Sequence, residues 1–227
     1  MLSISNFSFS FGKHLIFDQI NLDFMQGQIT GIVGKNGTGK TTLFRTIAGI
    51  YPIQVGNIKL NNSKISCNQI SFLPTDPYFY PYMKGEEYLK IVSNSVAEFE
   101  MSKAYTQALD VPLQELTDNF STGMRKKLAF AAYIAQDRPV SILDEPYNGV
   151  DLESNEIIKQ IIKARSKEKI IILSSHILST ITDICDSVYY FEDKEDIKKY
   201  SKLEFEALSD KLKAHSKDRL KQFDIDS

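Results

Sequence analysis

The sequence predicts an α/β protein, built on a mainly parallel sheet with helices on its faces and interrupted by an all-helical insertion. Three observations predict it. From residue 139 onward, apolar strands and amphipathic helices alternate: PVSILDEP, ESNEIIKQIIKAR, KIIILSS, ILSTITDICD, SVYYF. Such alternation requires parallel pairing with crossover helices. Before it, residues 84–136 carry only helical patterning. Earlier still, the strand-like QITGIVG runs into GKNGTGKTTLFRTIAGI, a glycine-rich loop opening a helix.

Taken in order, LSISNFSFSF, INLDF and QITGIVG read as strands, and the glycine loop then leads into the first helix. NIKL and QISFL are further short strands. GEEYLKIVSNSVAEF, MSKAYTQALD and MRKKLAFAAYIAQ are the helices of the insertion. The alternating half follows, and the chain closes on a charged stretch, 193–227. That stretch has helical spacing at Leu203, Phe205, Leu208 and Leu212. It reads as a solvated amphipathic helix with a frayed end, or as a docking segment for a partner.

Composition narrows the function. The 227 residues are 42% hydrophobic, enough for a core. With 27 basic and 29 acidic residues the net charge is −2, which gives no pull toward nucleic acid or anionic lipid. Cys67 and Cys185 lack CxxC spacing, so a reducing cytoplasm fits better than a disulfide framework. The N-terminus lacks the pattern of a signal peptide. No apolar run approaches the roughly 18 residues of a membrane span.

Residues Gly34-Lys35-Asn36-Gly37-Thr38-Gly39-Lys40-Thr41 match GxxxxGK[ST] in full, between a predicted strand and a predicted helix. Glycines let successive N–H groups wrap an anion, and the helix N-terminus adds positive potential. Gly34, Asn36, Gly37, Thr38 and Gly39 would form the phosphate cradle. Lys40 would reach the β- and γ-phosphates, Thr41 would ligate Mg²⁺ and Thr42 would assist at the α-phosphate. A second cluster, Val140-Ser141-Ile142-Leu143-Asp144-Glu145-Pro146, delivers two carboxylates to a strand end, where ligands sit in open α/β sheets. Asp144 is placed to hold Mg²⁺ through water, and Glu145 to polarise an attacking water. ATP and Mg²⁺ are the implied cofactors. No NKxD-type guanine-reading motif occurs.

Between these clusters Phe120-Ser121-Thr122-Gly123-Met124 opens a helix. Here the chain, over residues 1 to about 192, resembles the nucleotide-binding subunits of ABC transporters. In that family a P-loop, a signature motif (consensus LSGGQ), an Asp-Glu strand end and a switch histidine occur in this order. This chain keeps Ser121 and Gly123 of the signature. The resemblance implies a P-loop fold of ABC type with N-terminal antiparallel strands. It divides the chain into a nucleotide-binding domain, 1–192, with a helical subdomain inserted at about 84–136, and the tail, 193–227. It also implies a head-to-tail dimer, of like or unlike chains. Ser121 and Gly123 of one subunit would then face the γ-phosphate held by the other, although Ser121 also reads as an ordinary N-cap. His176 matches the switch histidine, catalytic beside Glu145. Asp151 matches the loop after the Asp-Glu pair. Phe11 matches an adenine-stacking aromatic and reads equally as a core residue.

The main departure is the loop after QISFLP, where the family carries a glutamine or glutamate and this chain has Thr75 followed by Asp76. A threonine hydroxyl reaches less far to a metal, and Asp76 is a further candidate oxygen donor. The same loop, FLPTDPYFYPYM, is crowded with aromatics. The resemblance implies that residues 75–90 meet an integral membrane permease. Tyr78, Phe79, Tyr80, Tyr82 and Met83 are residue types of buried interface centres, and about half of them are expected to pack inward instead. The implied function is an ATPase on the inner face of the cell membrane, peripheral and cytoplasmic, powering a separate exporter and binding no nucleic acid. The alternatives are a soluble ABC-type ATPase without a transport role, and a weakly hydrolysing ATP-dependent switch.

Overall fold

The computed structural model describes residues 1–175, 178–193 and 196–212. Two sheets form the frame. A four-stranded antiparallel sheet contains β1 (Leu2–Phe11), β2 (His14–Phe24), β4 (Val55–Leu60) and the short β5 (Ser63–Lys64), in the order β2-β1-β4-β5. A six-stranded sheet contains β3 (Ile29–Gly34), β6 (Ile70–Leu73), β7 (Val140–Leu143), β8 (Ile170–Ser174), β9 (Ser187–Phe191) and β10 (Ile197–Ser201). Its order is β10-β9-β3-β8-β7-β6, parallel throughout except at the β9–β10 edge. The mainly parallel sheet and the antiparallel N-terminal strands match the sequence expectation.

Strand residues alternate between two buried layers, as the pleat requires. Ile170 and Ile172 face α1 (Lys40–Ile47) and the antiparallel sheet, in one cluster with Phe7, Phe17, Leu43 and Phe44. Ile171 and Leu173 face the other cluster, with Phe130, Ile158 and Ile181. That cluster is supplied by α2 (Gly85–Val92), α3 (Val96–Ala108), α4 (Thr122–Ala135), α5 (Leu152–Ser166) and α6 (Leu178–Thr182). Burial on both faces explains why the central strands are continuous apolar runs.

The helical insertion runs from Gly85 to Ala135. Its first break differs from the expected one, which lay between Phe99 and Met101. The chain instead leaves the helix at Ser93 and restarts at Ser95, whose hydroxyl caps α3 by accepting from the Glu98 N–H at 3.2 Å. Ser and Asn bind local backbone groups in non-helical geometry, and here that competition stops the helix. The insertion is tied to the core by polar contacts. Glu98 accepts from the Asp137 N–H at 2.8 Å, and Gln136 donates to the Val92 carbonyl at 2.9 Å. Burial pulls the Lys169 ammonium, which donates to the Gln136 carbonyl, down to about 8.

Sequence placed β10 within the charged tail, but its residues pair with β9 from Ile197 through Ser201. Residues 205–212 are helical, with Phe205 and Leu208 buried in the second cluster and Leu203 fully outside it. The described part of the tail therefore packs along one face through Phe205 and Leu208 and leaves its other face to solvent. Replacing Leu208 by Ala should lower the unfolding free energy by about 2–4 kcal/mol. Urea denaturation measures this, and a change within about 0.5 kcal/mol would mean that the segment is not docked in solution.

Candidate functional site

The C-terminal ends of β3, β8 and β7 lie side by side in that order, and they bring the two sequence motifs together. A cavity of about 330 Å³ opens there, lined by Ile16, Asn36, Gly37, Gly39, Lys40, Thr41, Thr42, Thr75, Asp144 and Glu145. Gly39 adopts φ +96°, and a Cβ there would stand 2.5 Å from the Phe17 ring and 2.6 Å from Ile16. Both the backbone angle and the close approach of β2 require glycine at this position. Lys40 extends into the loop, where its ammonium donates to the carbonyls of Gly34 at 2.7 Å and Lys35 at 3.0 Å. Burial draws its pKa below the usual lysine value, opposed by the carboxylates of Glu145 and Asp144. Thr38 stabilises the loop itself, donating its hydroxyl to the Lys35 carbonyl at 2.9 Å.

Asp144 is fully buried and is the hub of the site. The hydroxyls of Thr41 and Thr75 each donate to Oδ2 at 2.8 Å, and the Ser174 hydroxyl donates to Oδ1 at 2.6 Å. Glu145 follows in a left-handed conformation, φ +53°, unusual for a residue with a side chain. Its N–H donates to the Ser174 hydroxyl at 3.0 Å. Backbone held this way costs about 1–3 kcal/mol and persists where the surroundings over-determine it. Here the Ser174 contact and the buried Asp144 and Pro146 on either side do so. Ser174 reaches both acids because β8 lies between β3 and β7.

The oxygen donors Thr41, Thr75 and Asp144 are hard ligands that suit Mg²⁺. Among the described residues no group of three His, Cys, Asp or Glu side chains forms a metal cage. One carboxylate and hydroxyls, completed by phosphate oxygens and water, are the usual protein share of a Mg²⁺ site. Asp76 does not join them. It lines an adjoining cavity of about 280 Å³ with Thr75, Pro77, Thr122, Arg125, Lys126, Asn148 and Gly149.

Other expected residues lie apart from the main cavity. Phe11, at the end of β1, is 49% exposed and meets Phe9 and Tyr51 edge-on at 5.0 and 5.6 Å, so it is not a core residue. Ser121 caps α4, accepting from the Met124 N–H at 3.2 Å. Gly123 packs so closely that a Cβ would lie 2.7 Å from the Gly149 carbonyl. Asp151 caps α5 through two hydrogen bonds from Ser154, which, with Lys127 nearby, hold its carboxyl at about 2. His176 lies outside the described residues.

The aromatic loop divides its side chains. Phe79 packs at 4.4 Å between ring centroids on Tyr88, and Met83 joins the same buried cluster. Tyr78, Tyr80 and Tyr82 stand 70%, 57% and 83% exposed. The loop is pinned by the Tyr82 N–H donating to Asp118 at 2.7 Å and by the Thr117 N–H donating to the Met83 carbonyl at 2.7 Å.

Three residues of the site were not singled out by sequence: Ile16, Ser174 and Lys126. Ser174 ends the strand IIILS beside the two acids, and a hydroxyl at that strand end was its only signal.

Comparison with known proteins agrees with this geometry. Residues 17–148 match the family model described as ABC transporter. The chain is 29% identical over 207 residues to the uncharacterized ABC transporter ATP-binding protein YdbJ of Bacillus subtilis, covering 86% of this chain and 67% of that protein. It is 27% identical to the lantibiotic transport ATP-binding protein SrtF of Streptococcus pyogenes, covering 86% of this chain and 88% of the relative. The solved structure of an ATP-binding subunit of an ABC transporter superposes with a TM-score of 0.82 at 23% identity, over 88% of this chain and 90% of that one.

Proposed function

The chain belongs to the ABC transporter family as an ATP-binding, ATP-hydrolysing component, and from that premise we propose that it drives a separate membrane permease, as an exporter, by ATP-dependent closure of a dimer. Gly34, Asn36, Gly37, Thr38, Gly39, Lys40, Thr41 and Thr42 bind the phosphates. Thr41 and Asp144 would hold Mg²⁺, which would neutralise phosphate charge. Glu145 orients the attacking water, His176 supports it, and Phe11 offers its half-exposed ring to the base. Ser121, Gly123 and Asp151 serve a second subunit's nucleotide. Their place outside the cavity of a single chain supports that division of labour, because a helix N-terminus such as Ser121's is made to receive an anion from outside. Helices α2–α4 act as the subdomain that moves with closure.

One observation carries the transport reading. The loop 74–83 holds Asp144 through Thr75 at one end and presents three exposed tyrosines at the other, pinned to the helical insertion between. A partner bound to Tyr78, Tyr80 and Tyr82 therefore bears on the same loop as the hydrolytic site. The export direction rests on the sequence, whose STGM signature and non-glutamine loop resemble exporters with a separate membrane chain; SrtF is named only for lantibiotic transport. The transport reading places the chain on the cytoplasmic face of a membrane partner; no described helix is long and apolar enough to cross a membrane.

The test is co-purification from detergent-solubilised membranes with tagged chain. Wild type should bring down a multi-span protein, and the Tyr80→Glu, Tyr82→Glu double variant should lose it by at least about tenfold while keeping its ATPase activity, as expected for residues at an interface centre. Recovery of only soluble proteins, identical for both chains, would favour a soluble ABC-type ATPase.

A further inference from the structure

Three consecutive cations follow the turn that opens α4, and they go to different places. Arg125 donates to the carbonyls of Thr117 and Asp118 at 3.1 and 3.3 Å. Lys127 bonds the Ser154 hydroxyl at 3.2 Å and pairs with Asp151 at 3.5 Å. Lys126 instead turns toward the sheet. It is 4% exposed, and its ammonium donates to the backbone carbonyl of Thr75 at 2.5 Å. The hydroxyl of the same Thr75 donates to Asp144 Oδ2. Thr75 is thus gripped twice, from α4 through its carbonyl and from β7 through its side chain.

We propose that Lys126 is a positioning residue for hydrolysis: by fixing Thr75 it aims the threonine hydroxyl at Asp144, and so ties the start of α4 to the acid that orders the site. The electrostatics fit that role. Asp144, Asp76 and Glu145 stand near the buried ammonium and partly offset its desolvation. The same three carboxylates gain a fixed counter-charge that, unlike Lys40, is not engaged with the phosphate loop. Because Ser121 caps the start of α4, any displacement of its first turns is carried by Lys126 to Thr75, whose hydroxyl bonds the hub carboxylate directly.

This inference rests on the reading of Asp144 and Glu145 as the hydrolytic pair. Its test uses the full chain with Mg-ATP. Lys126→Met, similar in length and uncharged, should lower kcat by about tenfold or more while leaving KM for ATP within about twofold, since the interaction lost acts on the reacting geometry rather than on binding. Hydrogen exchange at residues 74–79 should become several-fold faster in Lys126→Met, with the strands unchanged. In a Thr75→Ala background, which keeps the carbonyl but removes the hydroxyl, the same Lys126→Met change should cost less than about threefold. An equal loss in both backgrounds, or unaltered exchange in the loop, would overturn the proposal. Should Lys126→Met fail to fold, Lys126→Gln is read through the same two backgrounds. A Glu145→Gln control separates the two levels: if that variant hydrolyses like wild type, the site reading fails, whatever Lys126 does.

Discussion

Replacing Glu145 by Gln should abolish turnover while leaving ATP bound. Glu145 sits at the end of β7, one residue past the buried hub, with its N–H anchored on Ser174 and its backbone held left-handed. Gln preserves the side-chain shape and places no new demand on that strained backbone. It removes the basic oxygen needed to polarise a water. General-base catalysis is worth on the order of 10²–10⁴-fold, and kcat should fall by that amount. ATP affinity should hold or improve, because a negative charge next to the γ-phosphate is lost. Single-turnover hydrolysis and nucleotide fluorescence measure the two effects separately. Activity within threefold of wild type would remove Glu145 from the chemistry and raise the ATP-dependent switch above the enzyme reading.

Lys40→Met should have the complementary effect, losing binding rather than turnover of the bound state. The Lys40 ammonium is held by the carbonyls of Gly34 and Lys35 within the loop, close to where a phosphate would be wrapped. Removing one partner of a desolvated charge pair costs about 2–5 kcal/mol, so ATP should bind at least about 30-fold more weakly. The fold should survive: burial already lowers the pKa of this lysine, which means that the protein pays a desolvation penalty to keep it charged. The melting temperature should therefore stay within a few degrees or rise. Titration calorimetry and thermal unfolding check both halves. Unchanged affinity would contradict the phosphate-loop assignment, and loss of folding would reveal a structural role for the two carbonyl contacts.

Much of this was legible because local chemistry carried it. The glycine loop needs particular backbone angles at fixed spacing, and only a few residue types supply them, so Gly34 through Thr41 could be read directly. Asp144 and Glu145 were legible because a buried apolar strand ending in two acids has few structural uses. The double burial of the parallel strands was visible as unbroken apolar runs at 140–143 and 170–173. Other features were hidden because their causes lie far away in the chain. Nothing near Thr75 says that its hydroxyl bonds Asp144, 69 residues distant. The charged segment after Asp193 shows helical spacing at Phe205 and Leu208, but not that the surface they cover belongs to this chain's own core. The split between α2 and α3 depended on which of several serines would act as the cap.

The sequence by itself determined the fold class and the family, and it located a glycine loop at a strand-to-helix turn and two acids at a strand end, because each rests on short-range constraints that few residues satisfy. The tertiary structure alone decided how these parts are joined. Only strand order puts Ser174 between the loop and the acids. Only the packing of α4 sends Lys126 rather than Arg125 or Lys127 into the site. Hydrogen bonds and buried charges are set by which groups share a low-dielectric space, and that sharing is fixed by long-range packing rather than by neighbours in the chain.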